Sequence, residues 1–295
     1  VTLVPASTFA LSLVVLAALM HATWNLLAKR AAHVGPVFLL ATNFMSCLLY
    51  APWAFREATH GGVNGSWPVL LCLVASGVLH LAYSLALQRG YQVAPFSVVY
   101  PVARGTGPLL SSLGAFVVLR EVPTQSGIAG LAAVVIGILL IATQGRLAAF
   151  RAPGGLAGLR WGLATGLLIA SYTILDAYGV KTLAIAPVVL DWFGMLVRLF
   201  MLAPLTIRAP RTALAAMRGV WGLAVGVAVL APLAYILVLV ALGLGAPLSV
   251  VAPMREMSMM IGALMGLFLL KETVVPVQLF GCALLIAGVI LLSAA

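Results

Sequence analysis

Charge is scarce in this sequence. Only 7% of its 295 residues are charged and six are acidic, while 64% are hydrophobic, and the mean hydropathy is +1.20. A soluble domain of this length needs far more charge to cover its surface, which excludes a water-soluble globule. The apolar runs also lack the two-residue alternation of barrel strands, so the bilayer-spanning option left is the helix. Cysteine is rare: Cys47, Cys72 and Cys282 stand alone in apolar stretches. With no CxxC pair, they read as small packing residues rather than a disulfide framework or a metal site. Motifs for a P-loop, HExxH or GxSxG are missing, so no cofactor, no metal and no direct ATP-driven pumping by this chain are expected. The net charge of +10 comes from basic residues spread singly among short loops, without interleaved aromatics. That pattern sets membrane topology and does not point to a nucleic-acid partner. The stretch Val1 to Thr8 has no basic n-region. No cleavable signal peptide is therefore expected, and the first span would act as its own insertion signal.

What the sequence does have is a series of apolar runs, each about 20 residues long, the length that crosses a hydrocarbon core. They predict an all-α integral membrane protein with spans at 8–28, 35–55, 67–88, 94–118, 123–144, 159–180, 186–207, 219–242, 246–270 and 274–293. The longest polar breaks are Arg56 to Ser66 and the Arg/Gly/Pro-rich stretch Arg146 to Arg160.

One pattern occurs twice. Ala94-Pro95-Phe96-Ser97-Val98-Val99-Tyr100-Pro101 recurs as Ala246-Pro247-Leu248-Ser249-Val250-Val251-Ala252-Pro253, and Leu81-Ala82-Tyr83 recurs as Leu233-Ala234-Tyr235. After a slip of one residue Arg104 meets Arg255, Arg120-Glu121 meets Lys271-Glu272, and Gly130 and Gly137 meet Gly281 and Gly288. Pro36-Val37 meets Pro187-Val188. The expected organisation is a first five-helix repeat over 1–147, a linker over 148–158, and a second repeat over 159–295. Five is odd, so the second copy enters the bilayer inverted, and inverted halves around a central cavity are the usual basis of alternating access. One set of loops carries Lys29, Arg30, Arg89, Arg146, Arg151, Arg160, Arg208, Arg211, Arg218 and Lys271; the other carries Arg56, Arg120 and Lys181. The richer set should be cytoplasmic, with both termini outside.

The AP-x-SVV-x-P segment, the Arg/Lys-Glu pair at the next junction and the glycine-spaced fifth helix resemble the EamA-type transporters of the drug/metabolite transporter superfamily. Within it the chain is most similar to the ten-helix bacterial exporters of aromatic and other amino acids. The resemblance implies an inner-membrane exporter. Helices three, four, eight and nine would surround the cavity, one, two, six and seven would act as gates, and five and ten would lie at the periphery.

Ionisable residues at membrane depth usually face a bundle interior or a watery cavity. Arg104 falls about 15 Å into the fourth span, sharing a face with Tyr100, and Arg255 occupies the matching point of the ninth. They can hold a carboxylate, or form buried pairs with Glu256 or Asp176. Pro101, Gly105, Gly107 and Pro108 predict an irregular fourth helix, and Pro253 marks its partner in the ninth; freed backbone groups there suit solute binding or a hinge. His21, Trp24 and Asn25 on the first span, and Tyr172 and Asp176 on the sixth, would line a gate or meet an amino group. Helix-end bonding, with Asp176 near Lys181, is the structural alternative. Asp191 and Arg198 would fix helix packing. His80 and Tyr83 lie deep in the third span, with Tyr235 matching Tyr83, and His80 is a candidate proton carrier or simply a bonded core histidine. Met254, Met257, Met259, Met260 and Met265 crowd the ninth helix and suit varied apolar side chains or ordinary packing. The paired glycines of helices five and ten predict close packing and a homodimer contact. The expected function is secondary export of neutral, apolar or aromatic amino acids. Other metabolites, organic cations, a channel and an intramembrane enzyme are the alternatives.

Overall fold

The structure, a computed structural model, describes residues 8–151, 153–206, 214–270 and 275–294. The described residues form helices and turns with no strand. In order they are α1 (Thr8–Arg30), α2 (Pro36–Glu57), α3 (Trp67–Val93), α4 (Phe96–Val118), α5 (Gln125–Thr143), α6 (Gly155–Lys181), α7 (Pro187–Thr206), α8 (Trp221–Gly243), α9 (Leu248–Arg255), α10 (Met257–Leu270) and α11 (Pro276–Ser293). Arg208, Arg211, Lys271 and Glu272 lie outside the described residues. Nine stretches among the described residues are long and apolar enough to cross a membrane. The expected fourth span, α4, is 23 residues long but is not among them. It carries Arg104, Thr106, Ser111 and Ser112 in place of apolar residues.

Helix ends follow local chemistry. Pro68 and Pro276 stand in the first turns of α3 and α11, where the missing N–H costs nothing. The Thr124 hydroxyl caps α5 by accepting from the Gly127 N–H at 2.9 Å. The Gln278 side chain accepts from the Val275 N–H at 3.1 Å at the start of α11. Within the spans polar side chains repair what proline breaks. Pro232 has no N–H to give Ala228, and the freed Ala228 carbonyl accepts from Ser46 Oγ at 3.0 Å. Tyr50 Oη donates to the neighbouring Val229 carbonyl at 2.6 Å, so α2 is bonded to α8 at that point. Likewise the carbonyl of Ser249, freed by Pro253, accepts from Ser112 Oγ at 3.3 Å.

Glycines fix the helix directions. A β-carbon on Gly130 would stand 2.8 Å from the Gly288 carbonyl oxygen, and one on Gly137 2.8 Å from that of Gly281. The numbers rise on α5 as they fall on α11, so the two helices cross antiparallel with their backbones almost touching. Gly130 matches Gly281 in the repeat and Gly137 matches Gly288. The contact is therefore its own image under a two-fold axis perpendicular to the helices, which is the relation that opposite threading of the halves demands. These glycine faces meet within one chain, the close helix packing that their spacing predicts. Conversely α4 and α6 run parallel: Gly158 sits on Val98, Gly162 on Val102 and Gly166 on Thr106. The stripe Gly158, Gly162, Gly166 recurs every fourth residue and lets α6 lie hard against α4.

The fourth helix was expected to be irregular, yet α4 is continuous through Pro101 and Pro108. The ninth span breaks instead. The Glu256 N–H reaches back three residues to Pro253 at 3.0 Å, and the Met259 N–H reaches Glu256 at 2.9 Å. Winding of three residues per turn is tighter than an α-helix. It falls where the repeat slips by one residue, so the over-wound turn accommodates the missing position.

Candidate functional site

α3, α6 and α8 bring three sequence-distant groups together. His80 Nε2 stands 3.0 Å from Asp176 Oδ2, and Tyr235 Oη donates to the same oxygen at 2.5 Å. Tyr172 stacks on His80 with ring centroids 3.9 Å apart, and Tyr83 lies 5.6 Å from Tyr172. Asp176 is only 1% exposed, and its Oδ1 has no hydrogen-bond partner. A buried carboxylate normally fills its acceptor capacity, so an empty oxygen this deep needs a reason. Its expected neighbour Lys181 is elsewhere, paired with Glu121 at 3.3 Å.

A second group lies where α4 meets the break between α9 and α10. Arg104 Nη2 is 2.7 Å from Glu256 Oε2, and Arg255 Nε is 3.8 Å from Glu256 Oε1. Glu256 Oε2 still lacks a well-directed hydrogen bond. The short approach is therefore a charge contact in which no N–H points along the line. Arg104 Nη2 also donates to Ser258 Oγ at 3.4 Å. Arg104 Nε and Arg255 Nε have no hydrogen-bond partner. Two guanidiniums thus share one carboxylate in a site that excludes most water. Arg104 forms the structural pair that was one of its two readings, and Arg255 approaches the same carboxylate more loosely, at 3.8 Å. Arg255 and Tyr172 are electrostatic neighbours, as are Arg255 and Tyr235.

Aromatic rings lead to this interior from the end where α3 finishes and α4 begins. Tyr91 and Phe96 are 5.0 Å apart between ring centroids, and Phe96 stacks on Tyr100 at 4.9 Å. Tyr100 and Tyr83 both lie near Arg104. Access is narrow: the His80 and Arg104 side chains keep 12% and 14% of their surface exposed. Two pockets lie elsewhere, one of about 30 Å³ beside Phe116, Thr124 and Val250, and a groove along Val118, Ile174 and Tyr178.

Other expected site residues fall outside the two groups. Asn25 is exposed, and its amide donates to the His21 carbonyl at 2.7 Å, so it serves its own helix. His21 meets Trp24 edge-on at 4.9 Å and has Arg104 and Arg255 as electrostatic neighbours, while Trp24 Nε1 is buried without a partner. Met254, Met259 and Met260 are buried in the apolar core and Met257 packs against it. Pro101, Gly105 and Pro108 are buried inside an unbroken helix, and Pro253 lies one turn before the break. Asp191 Oδ1 and Arg198 Nη2 are 3.8 Å apart along α7.

One functional-looking residue carried no role in the sequence. Glu121, beyond the end of α4, accepts from the Leu248 N–H at 2.7 Å, the Ser249 N–H at 2.9 Å and Ser249 Oγ at 2.6 Å. It caps α9 from the other half of the chain. The signal for it was the acidic residue recurring with the AP-x-S segment.

The model of the EamA-like transporter family matches residues 8–143. Residues 8–143 are thus similar to the domain of that family, which suggests a multi-pass membrane transporter of small molecules. A solved protein crystal structure shares the fold with a TM-score of 0.73 over 96% of each chain, at 16% identity. None of the curated proteins matches the sequence.

Proposed function

We propose that the protein is a secondary carrier that exports amino acids with apolar or aromatic side chains by alternating access. One observation supports this reading above the others. Two buried, under-partnered groups of opposite sign, Arg255 Nε and Asp176 Oδ1, both have Tyr235 as a neighbour. A zwitterion satisfies both at once: its carboxylate meets the Arg255 guanidinium, and its ammonium meets Asp176, whose other oxygen is held by His80 and Tyr235. Tyr83, Tyr100 and Tyr172 would receive the side chain. An organic cation would fill Asp176 and leave Arg255 bare, which ranks that reading second. In this proposal α4 is the tenth span, since it runs beside α6 over most of its length. The aromatic run from Tyr91 would be the entry from the cytoplasmic side, which carries Arg89 and Arg160, with both termini outside.

The test is counterflow of labelled amino acids in proteoliposomes. Phenylalanine or leucine should exchange saturably, and the matching amines without a carboxylate should compete at least about tenfold more weakly. Arg255→Gln should remove that preference, because the discriminating charge is gone. Saturable flux for no amino acid, or equal competition by the amines, sinks the reading.

A further inference from the structure

We infer that Glu256 is an internal counter-ion that lets the empty carrier return across the membrane, so that net export needs no obligatory exchange. The inference rests on the carboxylate site proposed above and goes beyond it by assigning how the unloaded protein cycles.

Charge is the starting point. Arg104 and Arg255 come from different halves of the chain, and both are held away from water. With solute bound, its carboxylate would neutralise Arg255. Without solute, the sole carboxylate in contact with either guanidinium among the described residues is Glu256, 2.7 Å from Arg104 and 3.8 Å from Arg255. Asp176 is already held by His80 and Tyr235. Any alternating-access cycle passes through a state closed on both sides, where a bare buried cation is costly. A carboxylate in reach of both guanidiniums lowers that cost for the empty protein. It matters less for the loaded one, which brings its own anion.

The local backbone fits such a role. Glu256 occupies the over-wound turn that separates α9 from α10, and residues on both sides belong to helices. Its side chain is 1% exposed, yet Oε2 lacks a directed hydrogen bond. The Glu121 carboxylate is fully bonded, whereas this one is held by charge between its two neighbours.

The experiment compares two fluxes in the same proteoliposomes: exchange of labelled against unlabelled amino acid, and net efflux into solute-free buffer. Wild-type protein should do both at comparable rates. In Glu256→Gln the ratio of net efflux to exchange should fall at least about tenfold, the size of effect produced by stranding a buried charge. A general folding defect would lower both fluxes and leave the ratio alone. Glu256→Asp should keep the ratio near that of wild type. The pair Arg104→Gln with Glu256→Gln should stay as low as Glu256→Gln alone, because Arg255 is still left without an anion in the empty protein, and recovery in the pair would overturn the inference. An unchanged ratio in Glu256→Gln, with exchange intact, overturns the inference and leaves the amino-acid site standing. Absence of exchange in wild type overturns both.

Discussion

The fourth and ninth spans descend from one pattern, share AP-x-SVV-x-P, and behave differently. α4 has two internal prolines and stays whole, while the ninth span has one and breaks at Glu256. Proline content alone would have given the opposite result. The difference lies in the neighbours. α6 presses glycines at 158, 162 and 166 against α4 along successive turns, leaving no room for a bend. At the matching repeat positions α1 carries Leu11 and Val15 where α6 has Gly162 and Gly166, and Val15 is 42% exposed, so the glycine stripe that backs α4 has no counterpart in α1. A helix in lipid thus keeps or loses its course according to what lies against it, because neighbours can replace the bonds that proline removes.

Three substitutions probe this contrast. Gly162→Leu gives α6 the residue that α1 carries, and its β-carbon alone would stand 2.7 Å from Val102 and 3.0 Å from the Val99 carbonyl. It should destabilise the fold by about 3 kcal/mol or more, since backbone must shift. Thermal unfolding in detergent measures this, and a variant as stable as wild type would break the explanation. Glu121→Gln tests the far end of the broken span. Its carboxylate satisfies two backbone N–H groups and a hydroxyl at the start of α9, and neutralising it should cost about 2 kcal/mol. The same melt should show a smaller loss than for Gly162→Leu. The smallest effect belongs to Ser112→Ala, which removes the donor to the Ser249 carbonyl at 3.3 Å. About 0.6 kcal/mol is expected, the typical worth of an interhelical hydrogen bond in a bilayer. Hydrogen exchange confined to residues 249–256 would then locate the change in the ninth span and spare α4.

Much of this architecture could be read from the residues. Apolar run lengths place the helices because hydrocarbon thickness dictates them, while the expected inversion of the two copies rests on counting α4 as a span. Helix breaks were harder. Pro101 and Pro108 mark lost bonds, but whether the helix bends depends on Gly162 and Gly166, some 60 residues away in the sequence, a roughly fixed separation that only packing reveals. The site was legible as a set of types rather than as partnerships. Arg104, Arg255, Glu256, Asp176 and His80 stood out as ionisable groups at depth. Which acid would take which base depends on distances between α3, α4, α6 and α9 that no local spacing encodes. Asn25 was misleading for the same reason: its repeat position matches Asp176, but its amide is satisfied within its own helix. Glu121 is a further case, since the N–H groups it caps belong to the second copy.

The crossing of α5 with α11 has an evolutionary reading. Each helix offers glycines at the same two points and receives its partner's carbonyls there, so nothing in the seam requires two different sequences. A half-length ancestor that inserted in both orientations would already have carried a self-matching surface. Fusing two such copies end to end would need no new packing along this line.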